Sequence, residues 1–474
     1  MRNLIFLFFF TSITAFGQTP DDSVTVMSFD DFYQIVIQNH PIIKQAELLP
    51  QAATQELRLA RGAFDPKLEG AWNLKDLKDT EYYNLLDVSL KIPTWFPVDP
   101  KVGFSQNTGQ FLNPENFISN STDNQQIYAG VSVPIGKGLF IDSRRATLRQ
   151  AQLLQGMAEA EQVKEINKIL LTAVKDYWEW YAAVNKFELM QQSIDIAQDI
   201  FSRTKMAYEY GEASPLDTIQ AKITLLGRQT ARQEALIERI NSGLTLSNHL
   251  WTEEGLPLEM TPTTKPSSIQ NNELSNVQLG ILYDLARDNH PELRKLNLKN
   301  ESLVIDNRLA RENLKPRLDL NYYFLDQPIN AQGNSNDFQF LDNYKVGVDF
   351  SFPIFLRKER AKLGMTKLKI TENNYQLDFT ERQILNELSA QYNEMINLQQ
   401  IVVQQQEMAD SYQLILQAER LNLENGESDL FKLNIQIDKL IEAQSKLIKT
   451  KVNYQKSIAT LYWAAGISNL GLIN

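Results

Sequence analysis

Two long stretches of the chain place apolar side chains at the spacing of an α-helix. In residues 357–425, apolar positions fall on steps of three and four residues, or on sums of these steps, without a proline. Residues 142–210 are rich in the same helix-favouring residue types. Because a helix rises about 1.5 Å per residue, each stretch predicts a rod about 100 Å long. The apolar seam of the second stretch comprises Leu377, Leu385, Leu388, Tyr392, Met395, Val402, Ala409 and Leu416.

This second stretch also has a smaller apolar face beside the seam, at Ile384, Ile396 and Val403. Two apolar faces on one helix indicate neighbours on two sides, as each helix has in a ring of helices. An ordinary long coiled coil is the alternative interpretation.

Five shorter segments alternate apolar and polar residues, which is the period of a β-strand with one face in an apolar environment. They lie at residues 68–75, 86–92, 128–135, 318–324 and 344–354. Half-buried strands of soluble proteins alternate in the same way, but strands of about ten residues are also long enough to cross a membrane within a barrel. Aromatic residues near the strand ends would form either an interfacial girdle or ordinary packing contacts. They are Tyr82, Tyr83, Trp95, Phe96, Tyr322, Tyr323, Phe324, Phe338 and Phe340.

The chain also repeats its own pattern. The matching segments are 39–41 and 289–291 (Asn-His-Pro in both), 58–68 and 308–318, 131–135 and 350–354, and 211–212 and 426–427 (Gly-Glu in both). The offset between the copies falls from 250 to 219 residues across the β segment, so the first copy holds 31 extra residues there. This surplus indicates either a larger outer loop or an additional hairpin, with residues 98–105 as a candidate strand. A duplicated unit usually buries its apolar face against its own copies.

The repeat predicts tandem halves, each with short helices, a β segment and long helices. Pro41 fits the first turn of a helix that we expect to run to about Ala63. The predicted layout is a signal peptide at 1–17, first-repeat short helices at 28–65, a β segment with an outer loop at 66–135, long helices at 139–251, a linker at 252–277, second-repeat short helices at 278–315, a β segment at 316–354 and long helices at 357–466.

The first residues have the composition of an export signal. Arg2 supplies a positive start, residues 4–10 are almost wholly apolar, and Ala15 and Gly17 are small residues suited to cleavage before Gln18. A buried N-terminal helix is the alternative. No other segment approaches the roughly 20 apolar residues of a transmembrane helix, so we expect β-strands to cross any membrane that the protein spans.

Composition narrows the possible functions. A net charge of −11 argues against binding nucleic acid through a general positive field. The absence of cysteine excludes disulfides, thiolate metal sites, a cysteine nucleophile and a lipidated cysteine. Three histidines, His40, His249 and His290, lie at no metal-ligand spacing, and we expect them to cap or pack rather than to catalyse. No phosphate loop, dinucleotide fingerprint or nucleophile elbow is present, so we predict neither an enzyme nor a bound cofactor or metal.

The breaks after the long helices carry the candidate functional residues. Glycine suits the end of the first helix, Ser214 the N-cap of the next, and Pro215 its first turn. Acidic residues at these breaks would form a cation-attracting ring if several copies gathered around an axis. Helix capping explains the same carboxylates equally simply. The tip residues are Gly211, Glu212, Ser214 and Asp217 at the first break, and Gly426, Glu427, Asp429 and Lys432 at the second.

An export signal, tandem halves, very long helices and short amphipathic strands together resemble the TolC-like outer-membrane efflux proteins. The resemblance covers residues 28–467 and is carried by the order in which the repeated motifs occur. It implies a mainly α fold, with a long-helix α-barrel across the periplasm and an outer-membrane β-barrel completed by trimerisation. It further implies four strands per subunit in a shared twelve-stranded barrel. Asp217 lies where the first-half motif of this family has its aspartate, whereas Lys432 departs from the family pattern at the equivalent position.

The resemblance implies a homotrimeric channel-tunnel in the outer membrane, with its helical part in the periplasm. It would conduct substrates from an inner-membrane transporter and a periplasmic adaptor protein to the outside, in tripartite efflux or type I secretion. An open sheet edge is unsatisfied in lipid, so closure by other copies is also expected on physical grounds. The alternatives are a structural or adhesive coiled-coil protein of the cell surface and an exported soluble enzyme.

Overall fold

The computed structural model describes residues 25–120, 123–269, 278–326 and 342–467. The expected signal peptide, the end of the expected linker, Phe338 and Phe340 lie outside these ranges. The chain forms two compact units. One comprises Met1–Pro41, Leu170–Ser275 and Met395–Ser457, and the other comprises Ile42–Ile169, Asn276–Glu394 and Ile458–Asn474.

Four long helices dominate the described chain. Helix α4 spans Ser143–Glu209 and α8 spans Arg357–Glu424, with 67 and 68 residues respectively. Each is therefore about 100 Å long, as the uninterrupted helical spacing predicts. Helices α5 (Pro215–Ser247) and α9 (Leu430–Ala464) follow them. Within the described ranges, none of the helices combines the length and the apolarity that crossing a membrane requires.

Short helices open each half of the chain. The first half has α1 (Phe29–Asn39), α2 (Pro41–Ala46) and α3 (Leu48–Arg61), and the second has α6 (Leu279–Asn289) and α7 (Pro291–Glu312). The prediction of one helix from Pro41 to Ala63 is wrong. Pro50 has no N–H to donate to the carbonyl of Ala46, and its ring would crowd that carbonyl, so the helix breaks there. The repeat partner of Pro50 is Asn300, and α7 continues without a break.

Aromatic side chains form the core of the first unit, where α1 packs on α4. Phe32 and Tyr177 are fully buried with ring centroids 5.2 Å apart, and Trp180 is buried beside them. The Tyr177 hydroxyl donates a hydrogen bond of 3.1 Å to the carbonyl of Met27. Met27 belongs to the short strand β1 (Val26–Met27), which pairs with strand β6 (Lys265–Pro266). Large apolar area combined with a satisfied hydroxyl fixes this packing.

Six strands of the second unit form one antiparallel sheet, in the order β2-β3-β4-β5-β7-β8. The strands are β2 (Lys67–Leu77), β3 (Thr80–Lys91), β4 (Asp99–Thr108), β5 (Gln125–Pro134), β7 (Arg317–Asp326) and β8 (Tyr344–Ser351). The predicted class, mainly helical with one curled β portion, is confirmed. The expectation of four strands per chain is wrong, because the 31-residue surplus of the first half contains the additional hairpin β3–β4.

The register separates two faces across the whole sheet. One row of directly paired residues is wholly apolar or aromatic: Leu68, Leu90, Val102, Ala129, Phe324 and Tyr344. The adjacent row, on the opposite face, is mostly polar: Lys67, Lys91, Lys101, Gly130, Tyr323 and Lys345. Because successive side chains of a strand point to opposite faces, the apolar and the polar rows alternate along all six strands.

Glycine allows tyrosine rings to lie across the polar face. A Cβ atom at Gly103 would come within 2.3 Å of the Tyr128 ring. At Gly130 it would come within 2.2 Å of the Tyr322 carbonyl oxygen and 2.4 Å of the Tyr323 ring. Gly130 therefore needs a residue without a side chain, because backbone cannot yield in the middle of a sheet. At Gly103 the Tyr128 ring would have to move to admit a Cβ atom.

We expect Gly130→Ala to destabilise the protein by about 1–3 kcal/mol, because the added methyl group collides with backbone of the neighbouring strand. The matched control is Gly347→Ala on the same face, where a Cβ atom would lie 3.9 Å from its nearest neighbour. Thermal unfolding in detergent, followed by tryptophan fluorescence, measures the difference. Equal unfolding temperatures for the two variants would contradict this account of the sheet.

Two histidines lie at the corners between short helices, His40 buried and His290 half-buried. Burial, with the nearby His249 ring as a second cause, lowers the pKa of His40 to about 4. Burial also lowers the pKa of His290 to about 4. His290 caps α7, because its Nδ1 accepts a 3.2 Å hydrogen bond from the N–H of Glu292. Only an unprotonated nitrogen can accept this bond, so the fold uses the neutral ring.

These histidines predict a loss of stability in acid. The unfolded chain binds a proton at His290 near pH 6.5 and the folded chain only near pH 4, so the free energy of unfolding falls as the pH drops through this window. Protonation of His290 alone should lower the free energy of unfolding by up to about 1 kcal/mol for each pH unit in this window. Asparagine caps helices without titrating, so His290→Asn should be less acid-sensitive than the unmodified protein. Unfolding temperatures of both proteins, measured across this pH range, test the prediction. If the two proteins lose stability equally as the pH falls, His290 is not the source of the acid sensitivity.

Candidate entrance site at the helix tips

The first tip is the turn between α4 and α5. Gly211 has a left-handed backbone, with φ of 81°, and its N–H donates to the Tyr208 carbonyl at 3.0 Å. The N–H of Glu212 reaches back to the Ala207 carbonyl at 2.8 Å. These bonds satisfy the last carbonyls of α4, as in a Schellman motif. Glycine is favoured at this position because an L side chain is strained at positive φ.

A reciprocal capping box begins α5. The N–H of Asp217 donates to Ser214 Oγ at 3.2 Å, and the N–H of Ser214 donates to Asp217 Oδ2 at 3.0 Å. The Ser214 hydroxyl also donates to Asp217 Oδ2, at 2.8 Å. Both residues are exposed to solvent. Asp217 therefore stabilises the helix start and still presents its negative charge outward.

The second tip repeats the geometry with different chemistry. Gly426 has φ of 77°, and the N–H of Glu427 donates to the Asn422 carbonyl at 2.8 Å. Asp429 caps α9 by accepting from the N–H of Lys432 at 2.8 Å. The Lys432 ammonium lies 3.9 Å from the same carboxylate and partly neutralises it.

The two tips consequently differ in charge. In the described part of the chain, no lysine, arginine or histidine nitrogen lies within 4 Å of the carboxylates of Glu212 or Asp217. At the second tip, Lys432 offsets Asp429. Capping accounts for the position of both aspartates, and the capping aspartate lacks a basic partner at the first tip but not at the second.

A cleft of about 610 Å³ lies beside the tips, within the first unit. It connects Ala213 of the first turn with Leu430 and Leu433 at the start of α9. Its charged lining comprises Asp195, Asp199, Arg203, Arg420 and Glu424, and its apolar lining includes Ile196, Ile200 and Leu423. The cleft therefore offers both apolar contact and charges of both signs.

Sequence reasoning missed this cleft because its residues come from both sides of two distant turns and extend up to about four helical turns before Gly211. The only local signal was the Asp199–Arg203 ion pair, four residues apart on α4, with a 2.9 Å separation. Helices α4, α8 and α9 meet through the packing of Ile200, Leu416 and Leu433, which no local pattern specifies. A more distant contact, in which Arg228 of α5 donates to the carboxylate of Asp438 on α9, joins the two returning helices.

The described residues contain no cluster of three or more His, Asp or Glu side chains suited to holding a metal ion. His249 instead pairs with Asp176 across 2.8 Å in the core of the first unit.

Comparison with known proteins places this architecture among outer-membrane channels. The chain has the fold of CmeC from Campylobacter jejuni, with a TM-score of 0.66 and 13% identity over 98% of this chain and 94% of that one. It is also similar to VceC from Vibrio cholerae, with a TM-score of 0.63 and 13% identity over 92% and 95% of the two chains. It is similar as well to the open state of MtrE from Neisseria gonorrhoeae, with a TM-score of 0.62 and 11% identity over 92% of this chain and 88% of that one.

No curated protein is similar enough in sequence to count as a match. The model of the family described as outer membrane efflux protein, however, matches residues 32–250 and 282–467, which is most of the chain. The matched residues include all four long helices, all six strands of the antiparallel sheet and both tips. The chain belongs to the outer membrane efflux protein family.

Proposed function

We propose that the protein is a homotrimeric channel-tunnel of the outer membrane that conducts substrates outward from an inner-membrane transporter and a periplasmic adaptor. The observation that carries this proposal is a sheet with one continuous apolar face joined directly to helices about 100 Å long. Family membership supports it. The helices are long enough to cross a compartment, while the sheet provides the surface that lipid would contact.

The exposure of the sheet supports a membrane location. Leu68, Val102, Val348 and Phe350 all lie on its apolar face and are each at least half exposed in the single chain. A patch of this kind on a soluble monomer would promote aggregation, whereas lipid chains would cover it. The ion pairs and tyrosines of the opposite face are suited to a water-filled interior.

The edges of the same sheet support assembly with other copies of the chain. Strands β2 and β8 each have one neighbour within the chain and leave a row of backbone groups unpaired. In lipid these groups need partners, and copies of the same chain arranged around an axis supply them. Three copies are the number that family resemblance implies.

The tips are proposed as the periplasmic entrance, with Asp217 as its principal charged residue. Its carboxylate is exposed and lacks a basic partner among the described residues, whereas Lys432 offsets Asp429. The MtrE channel, which shares this fold, has been crystallised in an open state. We infer that the tips of this protein can likewise open, and that the adaptor favours the open arrangement.

Channel formation can be tested directly. The purified protein, added to a planar lipid bilayer, should produce discrete conductance steps, and chemical cross-linking in detergent should yield a three-subunit species. Heat-denatured protein is the control. A cell-surface coiled-coil protein would give no conductance, and a soluble enzyme would stay folded without detergent; either result would refute the proposal.

The role of Asp217 can be separated from its role as a cap. Asparagine retains an oxygen that accepts from the Ser214 N–H, whereas alanine removes both the acceptor and the charge. If charge controls ion entry, Asp217→Asn and Asp217→Ala should weaken block by divalent cations about two- to fivefold, the effect expected for one exposed charge. Lys432→Gln is the matched control at the other tip and should strengthen block. An unchanged block in Asp217→Asn would leave only the capping role.

A further inference from the structure

We propose that the additional hairpin β3–β4 is a membrane-spanning part of the barrel wall, so that three copies close an 18-stranded barrel through pairing of β8 with β2 of the next copy. This inference rests on the proposed trimeric channel. It changes the wall from the twelve strands that the family resemblance implies to three sets of the six observed strands.

The hairpin continues the pattern of the strands around it. On the apolar face, Leu90 and Val102 lie in the row of Leu68 and Ala129. The next row on this face pairs Val88 and Phe104 with Gly70 of β2 and Ile127 of β5. On the opposite face, Ser105 donates to Asp87 at 2.8 Å, and Tyr128 of β5 donates to the same carboxylate at 3.1 Å. Strands β3 and β4 therefore share both faces of the sheet, as members of the same wall must.

The strand lengths suit a membrane crossing. Strand β3 has 12 residues and β4 has 10, so neither is shorter than β5 or β7, which have 10 each. Barrel strands of about 9–11 residues cross a bilayer when tilted. At the outer end a two-residue turn joins β2 to β3, with φ of 54° at Lys78 and 58° at Asp79, which are values of the tight turns that favour strand twist.

The opposite end of the hairpin is held against the helical part of the same unit. Asp99, the first residue of β4, accepts from the Arg144 guanidinium at 3.2 Å, near the start of α4. It also accepts from the Thr94 N–H at 3.3 Å. In the connecting loop, Trp95 stacks on Phe64 with ring centroids 5.0 Å apart. These contacts fix the position of the hairpin at the base of the sheet.

The edges specify the partner. Every residue of β2 is exposed, as is nearly all of β8, so each edge is accessible to another strand. Because the chain contributes an even number of antiparallel strands, β8 of one copy and β2 of the next run in opposite directions. Their pairing continues the same antiparallel pattern around the ring, and a second copy of this chain is the partner that satisfies both edges.

The strand number determines the width of the barrel. With strands about 4.8 Å apart and tilted by about 40°, twelve strands give a backbone radius of about 12 Å and eighteen give about 18 Å. Even with Tyr128 and Tyr323 lying across the inner face, an 18-stranded wall would leave an aqueous channel. The narrowest part of the path would then lie outside the barrel.

Thiol labelling tests whether the hairpin lies in lipid, and the cysteine-free chain makes every introduced thiol unique. In proteoliposomes, Val102→Cys and Phe104→Cys should react with a membrane-impermeant maleimide at least about tenfold more slowly than Ser105→Cys and Asn107→Cys, because water does not reach the hydrocarbon region. Leu320→Cys and Asn321→Cys on β7 provide the matched pair on a strand that the family resemblance already requires. Rapid labelling at Val102 and Phe104, with protection at Leu320, would overturn the proposal.

Cross-linking tests the strand order. Residues Val102 and Ala129 pair directly between β4 and β5, so their double cysteine variant should form an intrachain disulfide. Val131 and Tyr322, paired between β5 and β7, form the positive control because this contact exists with or without the hairpin in the wall. A disulfide in the control but not in the Val102–Ala129 pair would overturn the six-strand sheet.

Closure between copies has its own readout. Val348→Cys in β8, combined in turn with a cysteine at Leu68, Gly70, Trp72 or Leu74 in β2, should give covalent dimers and trimers for at least one combination. Covalent oligomers in none of them would overturn the β8–β2 pairing. The unmodified protein, assayed for conductance in the same membranes, distinguishes the two levels: a conducting channel with a water-exposed hairpin refutes this inference alone, whereas absence of conductance refutes the proposed function.

Discussion

The need to hydrogen bond every backbone group in lipid governs the β part of this protein. Six antiparallel strands pair in one continuous order, which leaves two open edges at β2 and β8. Strands β2 and β8 are exposed along nearly their whole length, and Leu68, Val102, Val348 and Phe350 of the apolar face are each at least half exposed. In the proposed channel, other copies of the chain would pair with both edges, and the alternating faces would decide which side meets lipid and which meets water.

Local chemistry made much of the helical architecture predictable. Proline-free stretches with a three- and four-residue apolar period gave α4 and α8 nearly to their ends, and the glycines at 211 and 426 marked where they stop. The capping role of Ser214 followed from its place before Pro215. The break in front of Pro50 was equally local and was overlooked, because the repeat partner of this proline is an asparagine.

Features that depend on register were harder to anticipate. Strand β4 has only Val102 and Phe104 as large apolar residues, with glycine and amides between and after them, so its own alternation is weak. Its membership of the sheet becomes evident only when it is aligned with β3 and β5. The cleft beside the tips was also hard to predict, because Arg203 and Arg420 lie far apart in sequence and are brought together only by helix packing. Local patterns identify elements, whereas pairing between elements requires the folded chain.

The unequal tips have a consequence for symmetry. Two halves per chain and three chains per assembly would place six similar helical turns around one axis, with an approximate sixfold arrangement. Lys432 beside Asp429 breaks that equivalence, because Asp217 has no corresponding cation among the described residues. Around such an axis, more negative turns with Glu212 and Asp217 would alternate with less negative turns, where Lys432 offsets one of the two carboxylates, Glu427 and Asp429. A partner protein that docks there would therefore meet two kinds of site, three of each, and could distinguish them by charge alone.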